Sequence, residues 1–285
     1  MLQNILNNMK TCKFWTFVLL GFVLPVFWGT LNGQTNSGND NYEPSSGQAG
    51  KDVVWVPTPH QLVDVMINMA NLTSADFLVD LGSGDGRIVI AAAKKGIKAE
   101  GVEFNPDLVA YAKRSAAREG VSDKANFVEA DFFEYNLSKA TVVTMFLLTE
   151  LNRRLKPRLL ELKPGTRIVT NSFYIDDWPH DEKAELDEEN VSWRTAYMWI
   201  VPAKVEGSWK FNGGELALSQ TYQMVTGTMK TGSTSYEISE GKLRGDVFRF
   251  NCNGATYECT VNNREMKGTA KRDGKSTAWA ASKAN

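Results

Sequence analysis

Phe77-Leu78-Val79-Asp80-Leu81 runs straight into Gly82-Ser83-Gly84-Asp85-Gly86, followed by Arg87-Ile88-Val89-Ile90 and an alanine run ending at Gly96. A short apolar run bounded by glycine reads as a buried strand, and the segment after it has helical periodicity, so the unit is strand, glycine turn, helix. The alternation continues downstream. A strand at Ala99 to Glu103 leads into a helix capped by Asn105, opened by Pro106 and closed by Gly120. Strands follow at Ala125 to Ala130 and Thr141 to Leu148, then a helix to about Leu162 and strands at Thr166 to Phe173 and Thr195 to Val201. Upstream, Thr58-Pro59-His60-Gln61 has capping-box spacing and predicts a short helix starting at Thr58. Strands alternating with helices specify an α/β fold, a doubly wound and mostly parallel Rossmann-like sheet.

Ligands of such sheets sit at the carboxyl ends of the strands, near the first glycine turn. Glycine there lets the backbone turn tightly and a ligand approach closely. The turn is not a dinucleotide fingerprint, because its third glycine, Gly86, arrives one residue early. Asp80 and Asp85 flank it, a field that repels a pyrophosphate and suits a ligand carrying a sulfonium and an ammonium. Glu103 ends the second strand, with Phe104 beside it, where a carboxylate accepts hydrogen bonds from both hydroxyls of a ribose. Asp131 and Phe132 end the third, offering an acceptor for an adenine amino group and an aromatic face for the ring. The joint order at three successive strand ends points to nucleoside binding.

VPTP at Val56 to Pro59, VDLGSGDGRIVIAAAK at Val79 to Lys94, GVEFNP at Gly101 to Pro106, VVTMFLL at Val142 to Leu148 and PGTRIV at Pro164 to Val169 carry a resemblance. The segment resembles the class I, seven-stranded methyltransferases that use S-adenosylmethionine. Among these it is similar to the small protein-lysine methyltransferases that include the mitochondrial ATP synthase c-subunit enzyme and its bacterial relatives. The resemblance implies an S-adenosylmethionine cofactor and N-methylation of a protein lysine by in-line transfer. It also implies that Thr58 and the segment around it close over the methionine end of the cofactor, in the region that Asp80, Gly82, Ser83, Gly84, Asp85 and Gly86 contact.

In-line methyl transfer asks the protein to align an unprotonated nucleophile and exclude water. The fourth strand, whose carboxyl end faces the methyl group in this fold, ends Thr144-Met145-Phe146-Leu147-Leu148. It lacks the Asn or Asp, Pro-Pro and aromatic sequence with which DNA amino-methyltransferases hold an exocyclic amine. Carbon-5 pyrimidine chemistry needs a cysteine nucleophile, and the segment from 51 to 203 has none. Phe146, Phe173, Tyr174 and Trp178 offer an apolar aromatic channel for a lysine amine, with Asn171 and Ser172 placed to orient it. No residue is assigned as a catalytic base, and no metal site is expected. Two alternatives remain: a small-molecule methyltransferase of the same fold, and a non-catalytic exported binding protein with a relic cofactor site and a ligand-binding β domain.

The 285 residues carry 32 basic and 33 acidic side chains, so no global field draws the protein to nucleic acid. Lys10 and Lys13 precede an apolar run from Phe14 to Leu31, the pattern of a signal peptide or N-terminal membrane anchor over residues 1–33, with the folded part outside the cytoplasm. Residues 34–50 are polar and Gly/Ser/Asn-rich, a flexible linker. The methyltransferase segment spans 51–203, with an acidic run at Asp181 to Glu189 that reads as a solvated surface or a lure for a basic substrate. From 204 to 285, alternating runs about every ten residues separated by glycine turns predict an antiparallel barrel or sandwich of seven or eight strands, its ligand unspecified. Cys252 and Cys259 flank its Asn253-Gly254 turn and could pair across a wide hairpin in an oxidising compartment. A disulfide there is open, since a two-residue turn puts them out of register.

Overall fold

The computed structural model describes residues 41–187 and 192–284. The segment read as a signal peptide or anchor lies outside the described residues. Among those described, no helix is long and apolar enough to cross a membrane.

The element order begins with α1 (His60–Met69), β1 (Phe77–Leu81), α2 (Arg87–Lys94), β2 (Lys98–Glu103), α3 (Pro106–Arg118), β3 (Ala125–Glu129), β4 (Val142–Met145), α4 (Thr149–Leu160) and β5 (Arg167–Asn171). Two further strands, β6 (Glu182–Glu185) and β7 (Thr195–Ile200), complete a seven-stranded sheet of order β3-β2-β1-β4-β5-β7-β6. β1 to β5 are mutually parallel where they pair, and β7 runs antiparallel to both β5 and β6. The strands alternate their apolar side chains between two faces. Leu78, Val142 and Val169 pack under α1, α2 and α3. Val79, Val143 and Ile168 pack on the other face with Leu151, Leu155 and Leu159 of α4. Burial on both faces is why these strands read as continuous apolar runs. β1 sits between β2 and β4 with chain crossovers leading to opposite sides, so the sheet's switch point falls at the carboxyl ends of β1 and β4.

Residues from 207 onward form β8 (Gly207–Phe211), β9 (Gly214–Thr221), β10 (Met224–Thr231), β11 (Thr234–Glu237), β12 (Ser239–Arg244), β13 (Val247–Cys252), β14 (Ala255–Asn262), β15 (Glu265–Arg272) and β16 (Lys275–Lys283). All are antiparallel neighbours, and pairing of β9 with β10 closes the sheet into a barrel. β11 and β12 lie along the same edge of β10 and act as one interrupted strand, which gives an eight-stranded closure. Trp209, Leu216, Phe248, Phe250, Tyr257 and Met266 fill the interior. Cys252 pairs in register with Ala255 and Cys259 with Phe248, and both thiols are free and buried. The two-residue turn puts them out of register, so no disulfide forms.

Several local expectations change on the structure. Helix α1 starts at His60 with Pro59 as its N-cap and no side-chain cap. Thr58 is buried and accepts a hydrogen bond from Asn171 Nδ2 at 3.2 Å, so a tertiary partner replaces the capping box. The described part of the linker is anchored rather than free. Gly47 N–H donates to Trp55 O at 2.8 Å, Trp55 N–H returns a bond to Gln48 O at 2.9 Å, and Arg114 reaches Tyr42 O at 3.1 Å. The acidic run contains the unforeseen edge strand β6. Three of its described acids have partners within the protein: Asp181 accepts from Ile200 N–H, Glu182 pairs with Arg244 of the barrel at 2.5 Å, and Glu185 pairs with Lys183 and Arg194.

Candidate active site

A cleft opens at the switch point. Its walls are the strap from Gly50 to Thr58, the glycine turn after β1, Glu103 and Phe104, Phe132, and Phe146 and Leu147 after β4. Gly82, Gly84 and Gly86 have φ of 72°, 54° and 83°, the left-handed region that side chains resist. Space forbids side chains as well: a Cβ on Gly84 would lie 2.1 Å from Trp55 Nε1, and one on Gly86 2.6 Å from the Phe127 ring. The turn thus presents bare backbone to the cleft, with the Trp55 indole seated against it.

Carboxylates surround the turn in three different states. Asp80 is buried and accepts a 2.7 Å bond from Thr144 Oγ1 on β4. Burial pushes its carboxyl up to about 7, and the neighbouring charges of Asp85 and Glu103 add to this against the Thr144 bond. Glu103 is held in place by its own backbone surroundings, Oε2 accepting from Gly84 N–H at 3.0 Å and Oε1 from Asn105 N–H at 2.9 Å. A carboxylate has about four lone-pair sites, so Glu103 keeps acceptors for a diol. Asp85 lines the cleft, but its charge is taken by Arg87, whose Nε lies 3.0 Å from Oδ1 and whose Nη1 donates to Thr58 O at 2.6 Å. The expected pair of free acids at the turn is therefore one, Asp80. Arg87 instead clamps the strap to the turn.

At the third strand end Phe132 lines the cleft, while Asp131 bonds Lys51 of the strap and accepts from Phe133 N–H at 2.8 Å. Burial alone would raise the Asp131 pKa, but the Lys51 ammonium and the Phe133 bond outweigh it and hold it low. Lys51 also lies 4.7 Å from the Phe104 ring centroid, so the strap covers this end of the cleft from above. Ser83 Oγ is buried with no hydrogen-bond partner in the protein. Close-approach glycines, a pinned diol acceptor, an orphaned hydroxyl and a buried acid form a donor and acceptor set that fits S-adenosylmethionine. Glu103 would hold the ribose, Phe104 and Phe132 the adenine, and Asp80 with the glycine turn the cationic methionine end.

The side of the cleft beyond β4 is aromatic. Phe146, which lines the cleft, stacks with Phe173 at 6.0 Å, and Trp193 closes on both at 5.6 and 5.4 Å between ring centroids. Asn171 is buried beside them, bonded to Thr58 and accepting from Ser172 Oγ at 2.8 Å. Tyr174 packs on Tyr197 at 4.5 Å, and burial together with Tyr174 pushes the Tyr197 phenol up to about 12, which keeps it protonated at neutral pH. Trp178 departs from the expected channel. It is fully buried, stacks on Tyr222 of the barrel and bonds Gln223, because its apolar face belongs to the packing between sheet and barrel.

Sequence reasoning missed Trp55 and Lys51, whose partners Gly84 and Asp131 lie far along the chain, and Arg87, which joins its near neighbour Asp85 to the distant Thr58 carbonyl. It also missed Asn152 of α4, fully buried, whose Nδ2 donates to Tyr174 O at 3.1 Å. Trp193 had a signal, being a lone aromatic in a polar connection. It is 43% exposed and has φ 61°, a left-handed conformation costly for a bulky residue.

Fold and site together define a class I S-adenosylmethionine-dependent methyltransferase. Residues 80–182 match the ANTKMT methyltransferase domain. A protein-lysine N-methyltransferase of Saccharolobus islandicus is 43% identical over 152 residues, which is 52% of this chain and 94% of that protein. The human lysine N-methyltransferase of the ATP synthase c-subunit is 38% identical over 128 residues, 45% of this chain and 54% of that protein. Among solved structures, an RNA methyltransferase of Salinibacter ruber in complex with S-adenosyl-L-homocysteine is 43% identical, covering 53% of this chain and 96% of that one with a TM-score of 0.49. The chain thus spans nearly all of the archaeal relative and about half the length of the human one, and it belongs to the family of protein-lysine N-methyltransferases.

Proposed function

We propose that the protein methylates the side-chain amine of a lysine presented by another protein. The observation that carries this reading is the aromatic exit at the end of β4, where the rings of Phe146, Phe173 and Trp193 meet beside the cleft. An ammonium entering such surroundings loses hydration, and its pKa falls from about 10.4 toward neutrality, which releases the lone pair that attacks. The cofactor, when bound, supplies an electrophilic methyl group on a sulfonium. Asp80 opposes the positive charge of the methionine end, Glu103 and the glycine turn set its position, and the strap clamped by Arg87 excludes water. Asn171, fully buried and bonded to Thr58 and Ser172, fixes the backbone from which Phe173 projects. The end of β4 carries Phe146-Leu147-Leu148 where a base-binding amide or acid would stand, which favours an amine on a flexible aliphatic stem.

Incubation with methyl-tritiated S-adenosylmethionine and a protein extract, followed by acid hydrolysis, is expected to yield labelled methyl-lysine. Label appearing only in an organic extract would overturn the lysine reading in favour of a small-molecule acceptor. The basic flank and apolar run from Phe14 to Leu31 support an enzyme exported or held at a membrane, working outside the cytoplasm. Fractionation of cells expressing the full chain is expected to recover it with envelope or secreted material. Recovery in the cytosolic fraction would remove that placement.

A further inference from the structure

The barrel grips one loop of the methyltransferase sheet. The segment between β5 and β6 begins at the acceptor end with Phe173 and Tyr174 and then runs to the barrel. There Trp178 Nε1 donates to Gln223 Oε1 at 2.9 Å, and Gln223 Nε2 donates to Pro179 O at 2.8 Å. Tyr222 stacks on Trp178 with ring planes 19° apart, and its hydroxyl donates to Asp177 at 2.6 Å. Lys156 of α4 joins Asp176 and Asp177 at 2.6 and 2.5 Å and reaches the Tyr222 hydroxyl at 3.2 Å. Gln223 is 2% exposed and its own carbonyl accepts from Leu243 N–H at 2.7 Å, so the gripping residue is fixed to the barrel wall. Asn152 holds the near half of the same loop at Tyr174 O.

The turn that makes this grip is chemically unlike the others in the barrel. The strand registers define two-residue turns at 212–213, 222–223, 232–233, 245–246, 253–254, 263–264 and 273–274. Six have Asn, Asp or Gly in the first position, the residues such turns favour. The 222–223 turn has Tyr and Gln, and Tyr222 is held at φ 55°. A bulky residue in the left-handed region at a tight turn persists where its side chain is needed elsewhere. The barrel interior is occupied by its own aromatic and aliphatic side chains, so the barrel's chemistry faces outward at this turn.

We infer that the Tyr222-Gln223 turn is a positioning element of the methyl-acceptor site, and that the barrel serves as its rigid mount. It fixes the loop from Ser172 to Asp181, so that Phe173 and Tyr174 present a preformed mouth to the acceptor. This rests on the reading of the aromatic exit given above. Asp80, Glu103 and the glycine turn lie on other elements, so cofactor binding is independent of the grip.

The test compares the full chain with Tyr222→Phe, which removes only the hydroxyl, and Gln223→Leu, which removes both side-chain bonds. Amide exchange across 172–181 is expected to accelerate roughly tenfold in Gln223→Leu and less in Tyr222→Phe, with exchange in β1 to β3 unchanged. S-adenosylhomocysteine affinity should stay within about twofold. Methylation of poly-L-lysine should lose about tenfold in kcat/KM through KM, with kcat little altered. Wild-type exchange throughout the loop in Gln223→Leu overturns the inference, as does a loss confined to kcat. If wild type leaves poly-L-lysine unmodified, the lysine reading fails by itself and the exchange result still decides the role of the turn.

Discussion

At the cofactor end of the cleft the backbone makes the site: Gly82, Gly84 and Gly86 turn a strand into a helix, and Glu103 is pinned by two backbone N–H groups. At the acceptor end side chains make it, with Phe146 after β4, Phe173 after β5 and Trp193 before β7 brought together from three separate segments. The first end is rigid by local geometry and tolerates little change. The second is held at a distance, by Asn152 on α4 and by a turn of the barrel.

Substitutions that separate the two ends sharpen that contrast. The largest effect is expected from Gly86→Ala, which forces a side chain into φ 83° and within 2.6 Å of Phe127. A loss of about 2 to 4 kcal/mol in stability is expected from strain plus overpacking, read from the midpoint of urea unfolding. A midpoint close to wild type would show that the turn is less constrained than its geometry implies.

Asp80 comes next. With its pKa raised to about 7, folded Asp80 keeps its proton while the unfolded chain, titrating near 3.8, has released it. Stability contributed by this group is full below the unfolded pKa and is lost as pH rises to about 7. Asp80→Asn should flatten that decline, measured as the difference between the two proteins in urea unfolding at acid and at mildly alkaline pH. A ligand whose positive charge faces Asp80 favours the ionised form, so S-adenosylmethionine should bind more tightly as pH climbs through the same window, a trend absent in Asp80→Asn.

Glu103→Ala removes an acceptor bonded to two N–H groups and is expected to cost about 1 to 3 kcal/mol of S-adenosylhomocysteine binding by calorimetry. Unaltered affinity would remove Glu103 from the cofactor end. The smallest change in free energy is expected at Trp193, where Ala should raise the acceptor KM by about tenfold, or about 1.4 kcal/mol, and leave cofactor affinity untouched. An equal loss of cofactor affinity would collapse the distinction between the two ends.

The central strands β1 and β4 were readable because burial on both faces writes a nearly continuous apolar run, as in Phe77-Leu78-Val79 and Val142-Val143. The edge strand β6 was not, since Glu182-Lys183-Ala184-Glu185 carries the composition of a solvated loop and is strand only through its pairing with β7. Barrel strands announced themselves by alternation and by turns such as Asn253-Gly254 and Asp273-Gly274. The closure between β9 and β10 follows from strand order in space.

Asp80, Gly82 and Glu103 could be placed at the cleft from sequence because each lies within one residue of the carboxyl end of β1 or β2. Asp85 shows the limit: its acidity was plain, but the Arg87 pairing that consumes it depends on side-chain geometry. Trp178 shows another, an aromatic whose type suited a channel and whose partners, Tyr222 and Gln223, place it in the packing between sheet and barrel.

By itself the sequence determined the alternation of strands and helices and the meander of the barrel, both set by neighbours within a few positions. The tertiary structure alone decided how the strap is clamped, which aromatics meet after β4 and what the barrel holds. Those outcomes are contacts between segments far apart in the chain, such as Thr58 with Asn171 and Trp178 with Gln223, and residue type and spacing do not encode them until the chain has closed on itself.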